Sequence, residues 1–180
     1  GPGNGFLTQY LIKKNPKKII LIEKDSSLFI KLKNKYSNHK NIILYNDDAI
    51  KTNIIQKIQK PKIIVSNLPY NISIKLIMNW LPQINDYESL HLMIQKEVAD
   101  KFEYKCNLKL NRLNLFMHLM CDFKKEFNVS PNVFYPKPKV YSSVITLKPD
   151  IKEKIDFIEF QNYTRFLLIC TDNLKNQLLD

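Results

Sequence analysis

Short apolar runs alternate with amphipathic stretches over the first hundred residues of this chain. Lys18-Ile19-Ile20-Leu21-Ile22-Glu23 is apolar, β-branched and too short for a helix, so it predicts a buried strand. Residues 41–45, 63–66 and 90–95 repeat that pattern. Between these runs, apolar positions recur at helical spacing. Residues 26–36 place Leu28, Phe29 and Leu32 on one side and lysines on the other. Residues 52–59, 72–81 (stopped by Pro82) and 96–102 predict three further helices. Strands alternating with helices in this way imply a mostly parallel, doubly wound α/β sheet.

Beyond residue 102 the rhythm changes. Residues 110–120 predict a helix with Leu113, Phe116, Met117 and Met120 on one side; core packing accounts for that face. Residues 123–129 and 140–147 predict strands around a proline-studded loop, residues 130–139, which fits antiparallel strands closing one end of a parallel sheet. Residues 156–179 predict helix. The expected organisation is therefore one α/β domain over residues 1–150 and the start of a small helical appendage over 151–180.

In open α/β sheets, ligands bind outside the carboxyl ends of the strands. Glu23, Asp48 and Asn67 follow three consecutive predicted strands at such ends. Carboxylates there can accept hydrogen bonds from ribose hydroxyls and from an adenine amino group. The chain has three glycines, Gly1, Gly3 and Gly5, all within its first five residues. A protease scar would account for Gly1-Pro2 but not for the rest of the segment. The segment leads into Phe6-Leu7-Thr8-Gln9-Tyr10-Leu11-Ile12, whose pattern is helical. A glycine loop feeding a helix N-terminus gives close backbone approach and exposed N–H groups, as nucleotide sites need.

Asn67-Leu68-Pro69-Tyr70 is the most specific stretch. Pro69 holds Leu68 extended, which leaves the Leu68 carbonyl free of a helical turn. Asn67 adds a side-chain acceptor, and Tyr70 a flat face for stacking. Two acceptors beside a flat face suit a planar ring with an exocyclic amino group, which describes adenine.

Composition adds a partner class. The net charge is +11 with a pI near 9.5, which favours a polyanion, either nucleic acid or an acidic membrane. Arg112 and Arg165 are the only arginines, so the positive charge comes mostly from lysines, which act as point charges toward phosphates. Cys106, Cys121 and Cys170 fit neither a disulfide framework nor a metal pattern, and His39, His91 and His118 are isolated; no metal is expected. His118 is expected in or at the edge of the core. No apolar run is long enough for a membrane span and no secretory signal is present, which points to a reducing, intracellular setting.

With these motifs in order, the chain resembles the rRNA adenine N6-dimethyltransferases, to which the erythromycin-resistance methyltransferases are related. Gly1-Pro2-Gly3-Asn4-Gly5-Phe6-Leu7-Thr8 resembles the family's S-adenosyl-L-methionine loop, Ile22-Glu23-Lys24-Asp25 its ribose-binding strand end, and Asp47-Asp48-Ala49 its adenine-binding turn. Asn67-Leu68-Pro69-Tyr70-Asn71-Ile72-Ser73 resembles the catalytic motif, Gln95-Lys96-Glu97-Val98 a further block, and Phe134-Tyr135-Pro136-Lys137-Pro138-Lys139-Val140 the loop whose phenylalanine lies near the target base. The resemblance implies a Rossmann-like class I S-adenosylmethionine-dependent methyltransferase that dimethylates two adjacent adenosines near the 3′ end of small-subunit rRNA. It assigns Gly1, Gly3, Gly5, Glu23, Asp48, Ala49 and Asn67 to the cofactor, and Asn67, Leu68, Pro69, Tyr70 and Phe134 to catalysis. Lys137 and Lys139 are assigned to rRNA phosphates. The family's first strand, which leads into the glycine loop, is expected ahead of Gly1, and its usual Arg-rich C-terminal helix is replaced here by the less charged Asp172-Asn173-Leu174-Lys175-Asn176. A cytoplasmic monomer acting on the immature small subunit, without membrane or metal, is the expected setting; a mitochondrion or plastid is the alternative compartment. Two other readings share these motifs: a DNA adenine methyltransferase, disfavoured by Leu68 and the Phe134 loop, and a non-catalytic RNA-binding or ribosome-assembly factor.

Overall fold

The computed structural model describes residues 1–52, 54–103 and 112–150, the side chains of residues 112, 113, 115 and 116 excepted. Its elements are α1 (Phe6–Ile12), β1 (Ile19–Glu23), α2 (Ser26–Lys35), β2 (Ile42–Asn46), α3 (Ile54–Lys57), β3 (Lys62–Asn67), α4 (Ser73–Trp80), β4 (Tyr87–Gln95), α5 (Lys96–Phe102), α6 (Arg112–Met120), β5 (Cys121–Val129) and β6 (Ser142–Pro149). The expected helical appendage, residues 151–180, lies outside the described residues, as do Cys106, Cys170 and Arg165.

The strands form two sheets. β1 and β2 pair in parallel from Ile19↔Ile42 to Glu23↔Asn46. The second sheet has the order β3-β4-β6-β5, with β3 and β4 parallel and β6 antiparallel to both its neighbours. No ladder joins β1 to β3 among the described residues.

Each sheet has its own core. On the larger one, Leu90, Leu92 and Ile94 of β4 and Ile145 and Leu147 of β6 face Leu76, Ile77 and Trp80 of α4 and Val98, Ala99 and Phe102 of α5. On the smaller one, Ile19, Leu21, Leu32 and Tyr36 are buried, with Leu11 and Ile12 of α1 packed against them. The turn after β2 connects the two. Ala49 and Ile50 pack against the larger core, and the Asn79 side chain donates to the Ile50 carbonyl at 3.1 Å.

Several boundaries move from the sequence reading. β4 begins at Tyr87 rather than residue 90, because Tyr87 and Ser89 are buried partners of Lys62 and Ile63. Pro82 does not simply end a helix; it lies in the first turn of a 3-10 segment, Leu81–Asp86. The helix predicted over 52–59 is a single turn, α3. β6 starts at Ser142, so the proline-rich loop runs through Val140 and Tyr141, both exposed. His118, expected in or at the edge of the core, is exposed, while Asn114, Met117 and Met120 carry the buried side of α6.

Candidate functional site

The glycine loop is built on backbone conformations that side chains resist. Gly3 has φ +55° and Gly5 φ +77°. A Cβ on Gly5 would stand 2.5 Å from the Tyr36 hydroxyl, whereas nothing lies within 4 Å of a Cβ position on Gly3. The loop is therefore tight against α2 on one side and open on the other. The Tyr36 hydroxyl donates to the Gly5 carbonyl at 2.9 Å, and Lys35 Nζ to the Asn4 carbonyl at 3.1 Å. Burial pushes the Tyr36 hydroxyl above its ordinary pKa, so it stays a donor.

Glu23 ends β1 directly beneath this loop. It is nearly buried, and its two carboxylate oxygens accept from the Gly3 N–H at 3.1 Å and the Asp25 N–H at 3.0 Å. A Cβ on Gly1 would come within 2.6 Å of Glu23 Oε2, so Gly1 permits the close approach. Asp25 caps α2 by accepting from the Ser27 and Leu28 N–H groups, which starts the helix right after the strand. Asn46, at the end of β2, donates to the Glu23 and Lys24 carbonyls at 2.8 and 3.3 Å and holds the two strand exits together.

Asp48 follows β2. One oxygen accepts the Ile50 N–H at 3.0 Å, and the other pairs with Lys24 Nζ at 3.0 Å. The Ile50 N–H first, and Lys24 after it, hold its carboxyl below the ordinary range. Ala49 is half-buried against the larger core, so it shapes the turn.

Asn67 is the last residue of β3. Its side chain is exposed and makes no hydrogen bond among the described residues. The next residue extends the ladder, with the Leu68 N–H donating to the Met93 carbonyl at 3.0 Å. The Leu68 side chain is buried in the larger core, so the leucine anchors the turn while its carbonyl takes no hydrogen bond among the described residues. The Pro69 carbonyl accepts the Ile72 N–H at 3.2 Å, which closes the turn into α4. The Tyr70 hydroxyl lies 2.8 Å from Ser142 Oγ, and Ser142 is fully buried at the start of β6.

That last contact was not legible in the sequence, since residues 70 and 142 meet only across the sheet. Tyr36 was missed for the same reason. The far loop carries Phe134, half-buried, with Lys137 and Lys139 exposed. Phe134 forms no ring pair with Tyr70 among the described residues. The structure thus assembles two groups: Gly1, Gly3, Gly5, Glu23 and Asp48 about the smaller sheet, and Asn67, Leu68, Pro69, Tyr70 and Ser142 at the end of the larger one. The turn at residues 48–50 links them.

Other chemistry is sparse. Among the described residues no cluster of His, Cys, Asp and Glu could hold a metal ion, and no helix is long and apolar enough to cross a membrane. Cys121 is buried, and burial beside Asp122 and Asp150 pushes its thiol up to about 12.

The family model described as ribosomal RNA adenine dimethylase matches residues 1–179. Ribosomal RNA small subunit methyltransferase A of Wolbachia pipientis subsp. Culex pipiens (strain wPip) is 43% identical over 83% of this chain and 57% of its own length. The protein of the same name from Anaplasma phagocytophilum (strain HZ) is 41% identical over 99% of this chain and 68% of its own length. Among solved structures, a dimethyladenosine transferase from Plasmodium falciparum superposes with a TM-score of 0.71 at 32% identity, covering 83% of this chain and 54% of that one. The 23S rRNA methyltransferase ErmE superposes with a TM-score of 0.73 at 24% identity, covering 96% and 68%, and speaks for the fold alone. The chain spans little more than half the length of several of the curated relatives it matches, 57% for the Wolbachia protein above.

Proposed function

The chain belongs to the ribosomal RNA adenine dimethylase family, and from that membership we propose that its protein transfers methyl groups from S-adenosyl-L-methionine to the N6 amino group of adenosines in small-subunit rRNA. Its fold is the Rossmann-like class I methyltransferase fold. The proposed product is dimethyladenosine at two neighbouring positions of the immature small subunit, formed in the cytoplasm.

The observation that carries this reading is Asn67. An exposed amide with unspent hydrogen-bonding capacity stands at the carboxyl end of a parallel strand, followed by a carbonyl that is equally unspent. The exocyclic nitrogen of adenine is a poor nucleophile because its lone pair is delocalised into the ring. In the proposed mechanism, Asn67 Oδ1 and the Leu68 carbonyl accept its two N–H bonds and localise that lone pair. The Leu68 carbonyl and the Asn67 main chain are fixed by the β3–β4 ladder and by the buried Leu68 side chain, so the backbone reorganises little during the reaction. Tyr70 offers its ring to the base, with the ring plane set by the bond to Ser142.

The residues about the glycine loop fit the cofactor. Open space beside Gly3, a nearly buried carboxylate at Glu23 and a second carboxylate at Asp48 suit a nucleoside with ribose hydroxyls and an amino group. When bound, the cofactor supplies an activated methyl group on a sulfonium. The protein's part is to hold the two reactants in line and exclude water.

The test is Asn67→Ala in the full-length protein. Methyl transfer to under-methylated small subunits should fall about a hundredfold or more, on the scale of losing one transition-state hydrogen-bond partner, while calorimetric affinity for S-adenosyl-L-methionine is retained. Near-normal turnover would refute the role given to Asn67. Naked rRNA and duplex DNA as parallel substrates separate rRNA modification from DNA methylation.

A further inference from the structure

We propose that the loop of residues 130–141 presents Tyr135 as a stacking platform for an RNA base that flanks the target adenosine, with Lys137 and Lys139 on the adjoining phosphates. This rests on the rRNA reading above and names a second contact of the same substrate.

The loop is fixed at both ends. Pro131 is buried, Ser130 Oγ accepts the Asn132 N–H at 3.3 Å, and the Phe134 N–H donates to the Pro131 carbonyl at 3.2 Å. At the other end the Tyr141 carbonyl accepts the Lys96 N–H at 2.9 Å, and Ser142 holds Tyr70. The loop therefore rises from the edge of the catalytic turn.

At its tip Tyr135 is wholly exposed, with a relative accessibility of 102%, whereas Tyr36 and Tyr87 are buried at 7% and 3%. Val133, Val140 and Tyr141 of the same loop are exposed as well. An aromatic ring held out from a fixed loop that exposes other apolar residues is surface kept for a partner. Phe134 is extended, with φ −107° and ψ 148°, so consecutive side chains point to opposite sides. Phe134 is half-buried on one side and Tyr135 faces the other. If Phe134 serves the target base, Tyr135 serves its neighbour. Residues 129–141 contain two lysines and no acid, which favours a phosphate-bearing partner over a protein surface.

The experiment uses the full-length protein with Tyr135→Ala and Tyr135→Phe. Both substitutions change one exposed side chain, so folding is preserved. Binding to under-methylated small subunits and to protein-free small-subunit rRNA is measured across a salt series, together with kcat, KM and cofactor affinity. Tyr135→Ala should raise KM and weaken both RNA complexes about tenfold, within the range of one lost base stack. Its kcat and cofactor affinity should be unchanged, and Tyr135→Phe should restore binding. That loss should be the same at every salt concentration, whereas Lys137→Ala should flatten the salt slope. A KM and rRNA affinity within about twofold of wild type for Tyr135→Ala overturns the proposal. So does a loss seen on subunits but not on protein-free rRNA, which would assign the patch to a ribosomal protein. If the wild-type protein methylates nothing, the functional reading fails, and the rRNA-binding arm still decides the role of Tyr135.

Discussion

Single side chains here have divided duties. Leu68 looks from its motif like a residue of the chemistry, yet its side chain belongs to the core and only its backbone faces outward. Tyr70 is oriented by Ser142 at the start of β6, two strands from β3 in the sheet. Replacing Ser142 with alanine leaves the Tyr70 hydroxyl without its partner, at a cost of about 1–2 kcal/mol. Ser142→Ala should lower kcat several-fold with cofactor affinity unchanged. Tyr70→Phe should give the same loss, and the double substitution should add little to either. Steady-state kinetics on the three variants checks this, because a shared interaction is non-additive. Asp48 carries a pH signature. Its carboxyl sits below the ordinary range, so its contribution to stability is complete above that range and is lost as pH falls through the depressed folded value. The urea midpoint of the wild-type protein should exceed that of Asp48→Asn at neutral pH, and the two should converge in acid.

The elements position the site through their ends. β1 delivers Glu23 under the glycine loop, and Asp25 starts α2 two residues later. The last turn of α2 returns Lys35 and Tyr36 to that loop. Gly5→Ala tests this connection. Its φ of +77° strains any side chain, and the added methyl meets the Tyr36 hydroxyl. The substitution should destabilise the protein by about 1–3 kcal/mol and weaken S-adenosyl-L-methionine binding; thermal denaturation and calorimetry report the two effects separately. The strands were legible in sequence because short β-branched runs between polar stretches have few other solutions. Their exact limits were not, since Tyr87 joins β4 only because Lys62 lies opposite it. A lysine also reads as a surface residue, yet Lys62 is buried. Its ammonium donates to the Ile55 carbonyl at 2.8 Å and lies 3.7 Å from Asp86, contacts that periodicity cannot reveal.

At the scale of the whole molecule, charge and topology set the terms. A net charge of +11, mostly from lysine, predicts rRNA binding that weakens steeply as salt rises, through counterion release. Affinity measured across a salt series should give a clearly negative slope; a flat response would remove the polyanion argument. Gly1, Gly3, Gly5, Glu23 and Asp48 lie about β1 and β2, Asn67 to Tyr70 lie at the end of β3, and the turn at residues 48–50 joins the two groups. The sequence alone determined the α/β class, the glycine loop, the acids at strand ends and the Asn67-to-Tyr70 motif. These are local properties, written in side-chain periodicity and in the few residue types that tolerate a turn or a close approach. Only the tertiary structure decided that Ser142 sets Tyr70, that Tyr36 holds the glycine loop, that Lys62 is buried and that Tyr135 stands free. Each of those depends on which segments distant in sequence pack side by side, and pairing between segments is fixed by the whole core rather than by any one of them.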